Sequence, residues 1–137
     1  MARTINEIIV HCTATKIGRE VSVDELRRWH KAKGWADVGY HFVVHLDGSI
    51  SVGRPIDKMG AHCEGHNQHS VGVVYVGGLG LNGKACDTRT EAQKMALRVL
   101  VAGLKKVYNI TKVSGHRDYN KAKACPCFDA KNEYGDE

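Results

Sequence analysis

The run Val71-Gly72-Val73-Val74-Tyr75-Val76 carries no charged side chain and is rich in β-branched residues. Such a run has strand length, and apolar side chains at successive positions leave neither face suited to water. The fold must therefore place this strand near the middle of a sheet and cover both sides of it. Ile8-Ile9-Val10 is a second, shorter apolar run that reads as a buried strand ending at His11. Alternation puts His11 and Cys12 on opposite faces, which separates them as ligands of one metal and leaves Cys12 as core. A histidine closing a strand is ordinarily a hydrogen-bonded structural residue.

Helices that could cover such a sheet are marked at their starts. Ser22-Val23-Asp24-Glu25 is a capping box, and Val23, Leu26, Trp29 and His30 follow helical spacing up to a stop at Gly34. This predicts a helix over 23–33 with Arg27, Arg28 and Lys31 on its solvated side. Thr90-Glu91-Ala92-Gln93 is a second capping box. The helix after it is expected to reach Tyr108, with Ala92, Met95, Ala96, Val99, Leu100, Gly103 and Val107 as its apolar face. Between the helices, 39–46 alternates as a strand with Tyr40, Phe42, Val44 and Leu46 on one side and His41 and His45 on the other. Asp47-Gly48 turns the chain back into Ser49–Val52. Asn109 ends the second helix, and 110–113 adds a short strand. The sum is an α/β domain, one sheet of about five strands flanked by helices, with a single core of the size that 137 residues can bury.

Composition limits the partners. No apolar stretch reaches the length of a membrane span, and the start Met1–Glu7 lacks the pattern of a signal peptide. A protein made and kept in the cytoplasm unless something else releases it is expected. Five cysteines, an odd number, argue for free thiols, some of them on metal. The net charge of +5 favours polyanions such as nucleic acid or a bacterial wall, though a solvated basic surface explains it equally well. No zinc-finger spacing or aromatic-basic RNA motif is present, so nucleic acid is not favoured. The chain is expected to act as a monomer.

Chemistry concentrates near the end, in Ser114-Gly115-His116-Arg117-Asp118-Tyr119 and Lys123-Ala124-Cys125-Pro126-Cys127. Histidine and cysteine are the side chains zinc prefers, and a hydrolytic site needs three protein ligands plus an open position. His116 and Cys125 can supply two; spacing alone does not join them to His11. Residues 55–70 form a polar connection with His62, His66 and His69, whose irregular spacing and lack of a nearby carboxylate pattern read as a binding loop rather than a metal tract. The glycine-rich 77–88 stretch lacks the Lys-Ser or Lys-Thr end of a phosphate loop.

Four ordered pieces, His11-Cys12-Thr13-Ala14-Thr15, Asp37-Val38-Gly39-Tyr40-His41-Phe42, Ser70-Val71-Gly72-Val73 and Lys123-Ala124-Cys125-Pro126, resemble the zinc-dependent N-acetylmuramoyl-L-alanine amidases. The likeness is to the small phage lysozymes of the T7 type, related in fold to the peptidoglycan recognition proteins, and runs from about Ile8 to Phe128. It implies a Zn2+ ion on His11, His116 and Cys125, catalytic Tyr40 and Lys123, and substrate contacts from His62 and Asn67. The implied substrate is peptidoglycan, cut at the amide between the lactyl group of N-acetylmuramic acid and L-alanine. Zinc in such a site lowers the pKa of water from 15.7 to about 7. A cation such as Lys123 suits the oxyanion that forms on the carbonyl, and Tyr40 could orient the water or shuttle its proton if a cation lowers its pKa. Cys127 stands where relatives commonly carry a small non-thiol residue and could compete with Cys125; the Lys-Ala-Cys-Pro register favours Cys125.

Three other readings remain. The fold could serve as a non-catalytic peptidoglycan-binding module. It could bind a phage RNA polymerase as a regulator, the second activity of T7-type lysozymes. Cys125 could be a nucleophile with His116 as its base.

Overall fold

The computed structural model describes residues 3–135; the first two residues of the N-terminal segment read above lie outside the described residues. Its main sheet has five strands in the order β4-β3-β5-β1-β7, with β5 at the centre. These are β1 (Glu7–Cys12), β3 (Phe42–Val44), β4 (Ile50–Val52), β5 (Ser70–Tyr75) and β7 (Lys112–Gly115); β2 (Thr15–Lys16) and β6 (Gly78–Leu79) pair separately as a two-stranded parallel ribbon. β1 runs parallel to both β5 and β7, β3 runs parallel to β5, and only the β3–β4 hairpin is antiparallel. The apolar runs thus became two of the three inner strands, and every residue of β1 and β5 is buried.

Alternation sorts those strands onto two unlike faces. Ile8, Val10 and Cys12 of β1 join Val71, Val73 and Tyr75 of β5 in one apolar core with Leu97, Val101 and Leu104 of α2 (Glu91–Tyr108). Phe128, Ala130 and Tyr134, around α3 (Ala130–Tyr134), close its far side. Arg89 fixes that corner: its guanidinium pairs with Asp87 and Glu133, donates to the Tyr134 hydroxyl and lies 3.4 Å from the Phe128 ring centre. On the other face, Val43, Val74 and Val76 pack with Leu26 of α1 (Val23–Ala32). The rest of that face carries Glu7, His11, Ser70 and Ser114.

Both capping boxes form as read, at Ser22 with Glu25 and at Thr90 with Gln93. The expected apolar face of α2 is wrong. Met95, Val99 and Val107 are 70%, 66% and 72% exposed, and the buried stripe is Gln93, Leu97, Val101 and Leu104. A glutamine opens that stripe because its amide is fully used. Its Oε1 accepts from Thr90 N, and its Nε2 donates to the Val44 and Val76 carbonyls at the ends of β3 and β5.

The third strand is also shorter than expected, and its one-sided face holds only for Phe42 and Val44. Tyr40 and Leu46 lie outside β3 and pack into the opposite, α1-side core. His41 breaks the alternation: fully buried, its Nδ1 accepts from Gly72 N at 3.0 Å and its Nε2–H donates to the Lys58 carbonyl at 2.8 Å.

Candidate metal centre

His11 sits near the C-terminal end of β1, buried, on the face turned away from α2. β7 pairs beside β1 with Val10 opposite Gly115, so the chain leaving β7 enters a short 3-10 turn (His116–Asp118) right next to it. The two imidazole rings stand 4.8 Å apart between centres. Gly115 makes room for the third ligand's segment: a Cβ there would lie 2.6 Å from Pro126 Cδ, so only glycine lets residues 125–127 fold down on this strand end. Arg117 N donates to the Cys125 carbonyl at 2.8 Å, and Cys125 Sγ accepts the Cys12 backbone N–H at 3.1 Å. One ligand atom from each of His11, His116 and Cys125 lies within 4.8 Å of the others. Two imidazoles and a thiol at this closeness suit a zinc-type ion with one further position open.

The electrostatics keep the imidazoles neutral. Burial, reinforced by His62 and His116, holds His11 well below the ordinary histidine pKa; burial and the charge of Lys123 lower His116. A neutral ring nitrogen is the form that binds metal. Behind His11 stands His62, whose Nδ1 meets His11 Nε2 at 2.8 Å; the other His11 nitrogen, Nδ1, is left to offer a metal. The Ser70 hydroxyl lies 3.2 Å from His62 Nε2, and burial holds His62 down at about 3. Gly72 makes room for this pair, since a Cβ there would lie 2.6 Å from the His62 ring. Sequence reading missed that role; a lone glycine inside an apolar strand was its available signal.

The other expected residues divide. Tyr40 borders the trio, its ring 5.1 Å from that of His11. Burial, with charge on Cys125 and Cys12, pushes its pKa up, so the phenol is a neutral donor. Lys123 is exposed beside the site, where its charge is felt at His116. His62, expected at the substrate, is a buried ring with both nitrogens engaged, a geometry that also orients His11. Asn67 is half-buried, and its Oδ1 accepts from the backbone N–H groups of His62 and Cys63, so it holds the loop that presents His62. Cys127 turns away from the trio, with Sγ 3.3 Å from the Gly78 carbonyl and 3.9 Å from Cys12 Sγ. Cys12 points into the apolar core, as strand alternation required.

Residues 1–128 match the N-acetylmuramoyl-L-alanine amidase family. The chain belongs to that family. Among its relatives, the endolysin of Klebsiella phage KP32 is 46% identical over 126 residues, covering 92% of this chain and 83% of that one. The endolysin of Escherichia phage T7 is 44% identical over 124 residues, covering 90% and 82%. Among solved structures, the N-acetylmuramoyl-L-alanine amidase LysC from Clostridium intestinale superimposes with a TM-score of 0.81 at 28% identity, covering 96% of this chain and 82% of that one. The amidase fold anticipated from the four sequence pieces is thus the fold observed.

Proposed function

We propose that this chain is a zinc-dependent amidase that hydrolyses the bond between the lactyl group of N-acetylmuramic acid and L-alanine in peptidoglycan, as a phage-type endolysin. The observation that carries the reading is the convergence of His11, His116 and Cys125 from two distant parts of the chain onto one point. Zinc held by these three residues would supply Lewis acidity that polarises an amide carbonyl and makes water nucleophilic near neutral pH.

The chain's own groups do the rest. His62 fixes the orientation of His11 through the 2.8 Å contact and so holds one ligand in place. Tyr40, protonated at neutral pH, donates a hydrogen bond toward the reacting carbonyl. The exposed Lys123 offers an ammonium to the oxyanion, where a positioned charge is worth most. Asn67 keeps the loop over the site in register. The protein acts as a monomer, is held in the cytoplasm and reaches the wall after release.

Digestion of purified peptidoglycan tests the chemistry. The reading requires new N-terminal alanine amines without new reducing sugar ends; the opposite pattern would make the enzyme a glycosidase and overturn it. The polymerase-binding alternative rests on resemblance alone. Retention of the chain by phage RNA polymerase in a pull-down would add that partner, and no retention removes it.

A further inference from the structure

The face of β1 that carries His11 carries Glu7 at its other end, four residues and roughly 13 Å away at strand rise. Glu7 is 1% exposed, and a buried carboxylate needs partners for both oxygens. Its Oε2 is well supplied: it accepts from the Ser114 hydroxyl at 2.6 Å and from the Tyr119 hydroxyl, with Lys112 Nζ 3.9 Å away. Its Oε1 faces His69 Nε2 at 3.2 Å. His66, three residues earlier in the same loop, stacks on the Tyr119 ring with centres 3.6 Å apart. One ligand atom from each of Glu7, His66 and His69 lies within 4.8 Å of the others.

We infer that Glu7, His66 and His69 form a second metal site, suited to Zn2+ or a similar divalent transition ion. The donor set, two imidazoles and one carboxylate, is one such ions accept. The 3.2 Å between Oε1 and Nε2 matches the edge of a tetrahedron of ligands about 2.0 Å from a central ion, roughly 3.3 Å. The two hydroxyls on Oε2 orient the carboxylate as outer-shell partners orient metal ligands, and the Tyr119 stack fixes His66 through its ring face. An open cleft of about 440 Å³ lined by Asn6, Glu7, His69, Thr111 and Lys112 gives an ion access and leaves room for water as the remaining ligand. Lys112 is the opposing charge, more than half exposed, with its ammonium 5.3 Å from the Tyr119 ring centre; an ion binding here must displace it from Glu7.

Occupancy would tie three segments together: the 62–70 loop that presents His62, the start of β1, and Tyr119 just after the turn bearing His116. The second ion is therefore structural, bracing the strand and loops from which the first site is built.

Zinc binding by the full chain tests this independently of the first site. Metal-free protein is dialysed against buffered zinc in the micromolar range, and bound zinc is counted by mass spectrometry. Wild type is expected to hold two ions per chain. His69→Gln and the His66→Asn/His69→Gln double variant are expected to hold one and still lyse walls, while Cys125→Ser holds one and does not. In wild type the second equivalent raises the melting temperature; in the double variant it does not. A wild type that stops at one ion, or a double variant that still binds two, overturns the second site. Loss of the proposed amidase centre would instead show as unchanged zinc in Cys125→Ser.

Discussion

The two faces of the central sheet differ in how they are filled. Toward α2, β1 and β5 present Ile8, Val10, Cys12, Val71, Val73 and Tyr75 to Leu97, Val101 and Leu104, a core whose polar members have their bonds satisfied by neighbours. Tyr75, for example, donates to the Pro126 carbonyl at 2.6 Å. Away from α2, the same two strands present Glu7, His11, Ser70 and Gly72, over which His41 and His62 are packed. One set of strands thus builds the larger apolar core on one side and, beside a smaller core around Val74 and Leu26, the polar cluster that carries chemistry on the other. The buried polar side is tolerated because its groups hydrogen-bond one another or stand ready for a metal.

This contrast can be broken from either side. Cys125→Ser should cost at least about 100-fold in wall lysis, the upper range seen when even an outer-shell metal partner is lost, and should abolish zinc binding at the His11 centre with the fold intact. Circular dichroism beside zinc analysis checks it; equal zinc in variant and wild type would remove Cys125 as a ligand. On the opposite face, Leu97→Ala should cost about 2–5 kcal/mol of stability by leaving a cavity, with zinc stoichiometry unchanged in the protein that folds. Urea denaturation measures the first and metal analysis the second.

Acid should discriminate the faces next. Burial holds both His30 and His41 at about 4, below the 6.5 of an unfolded histidine. As pH falls through 6.5 the unfolded chain takes up protons that the folded chain refuses, so stability is flat above that pH and lost between 6.5 and 4. Each histidine contributes about 3 kcal/mol of loss by the lower limit. Urea midpoints across that range should fall, and a His30→Gln variant should fall less steeply; constant midpoints would contradict the neutral buried imidazoles. The smallest effect is expected for Cys127→Ser. Its thiol, pushed up to about 12 by burial and Cys12, faces Gly78 and stays protonated, so zinc and lysis should be close to wild type.

How far the chain could be read follows the same division. β1 and β5 were legible because apolar β-branched runs have one use in a water-soluble fold, and both helix starts were legible because capping boxes are local chemistry. The buried stripe of α2 was not, since apolar residues occur on two sides of that helix and the decision falls to Gln93, whose amide reaches strand ends visible only after folding. β2 and β6 are two-residue strands, and α3 is a five-residue helix held by packing of Phe128 and Tyr134; neither carries a periodic signal. At the site, His116 and Cys125 were visible as one segment, but their meeting with His11 depends on the parallel pairing of β1 and β7 and came only from family resemblance. His66 and His69 read as a binding loop partly for want of a carboxylate pattern nearby in sequence; the fold sets the Glu7 carboxylate beside His69.

The account depends on His11, His116 and Cys125 holding one ion that the reaction requires. Its most direct test strips the protein of metal, measures release of N-terminal alanine from purified walls, and adds back two equivalents of zinc. Activity should vanish on stripping and return on addition in wild type, and should not return in Cys125→Ser. Full activity in metal-free protein would contradict the account and make Cys125 the nucleophile, with His116 as its base.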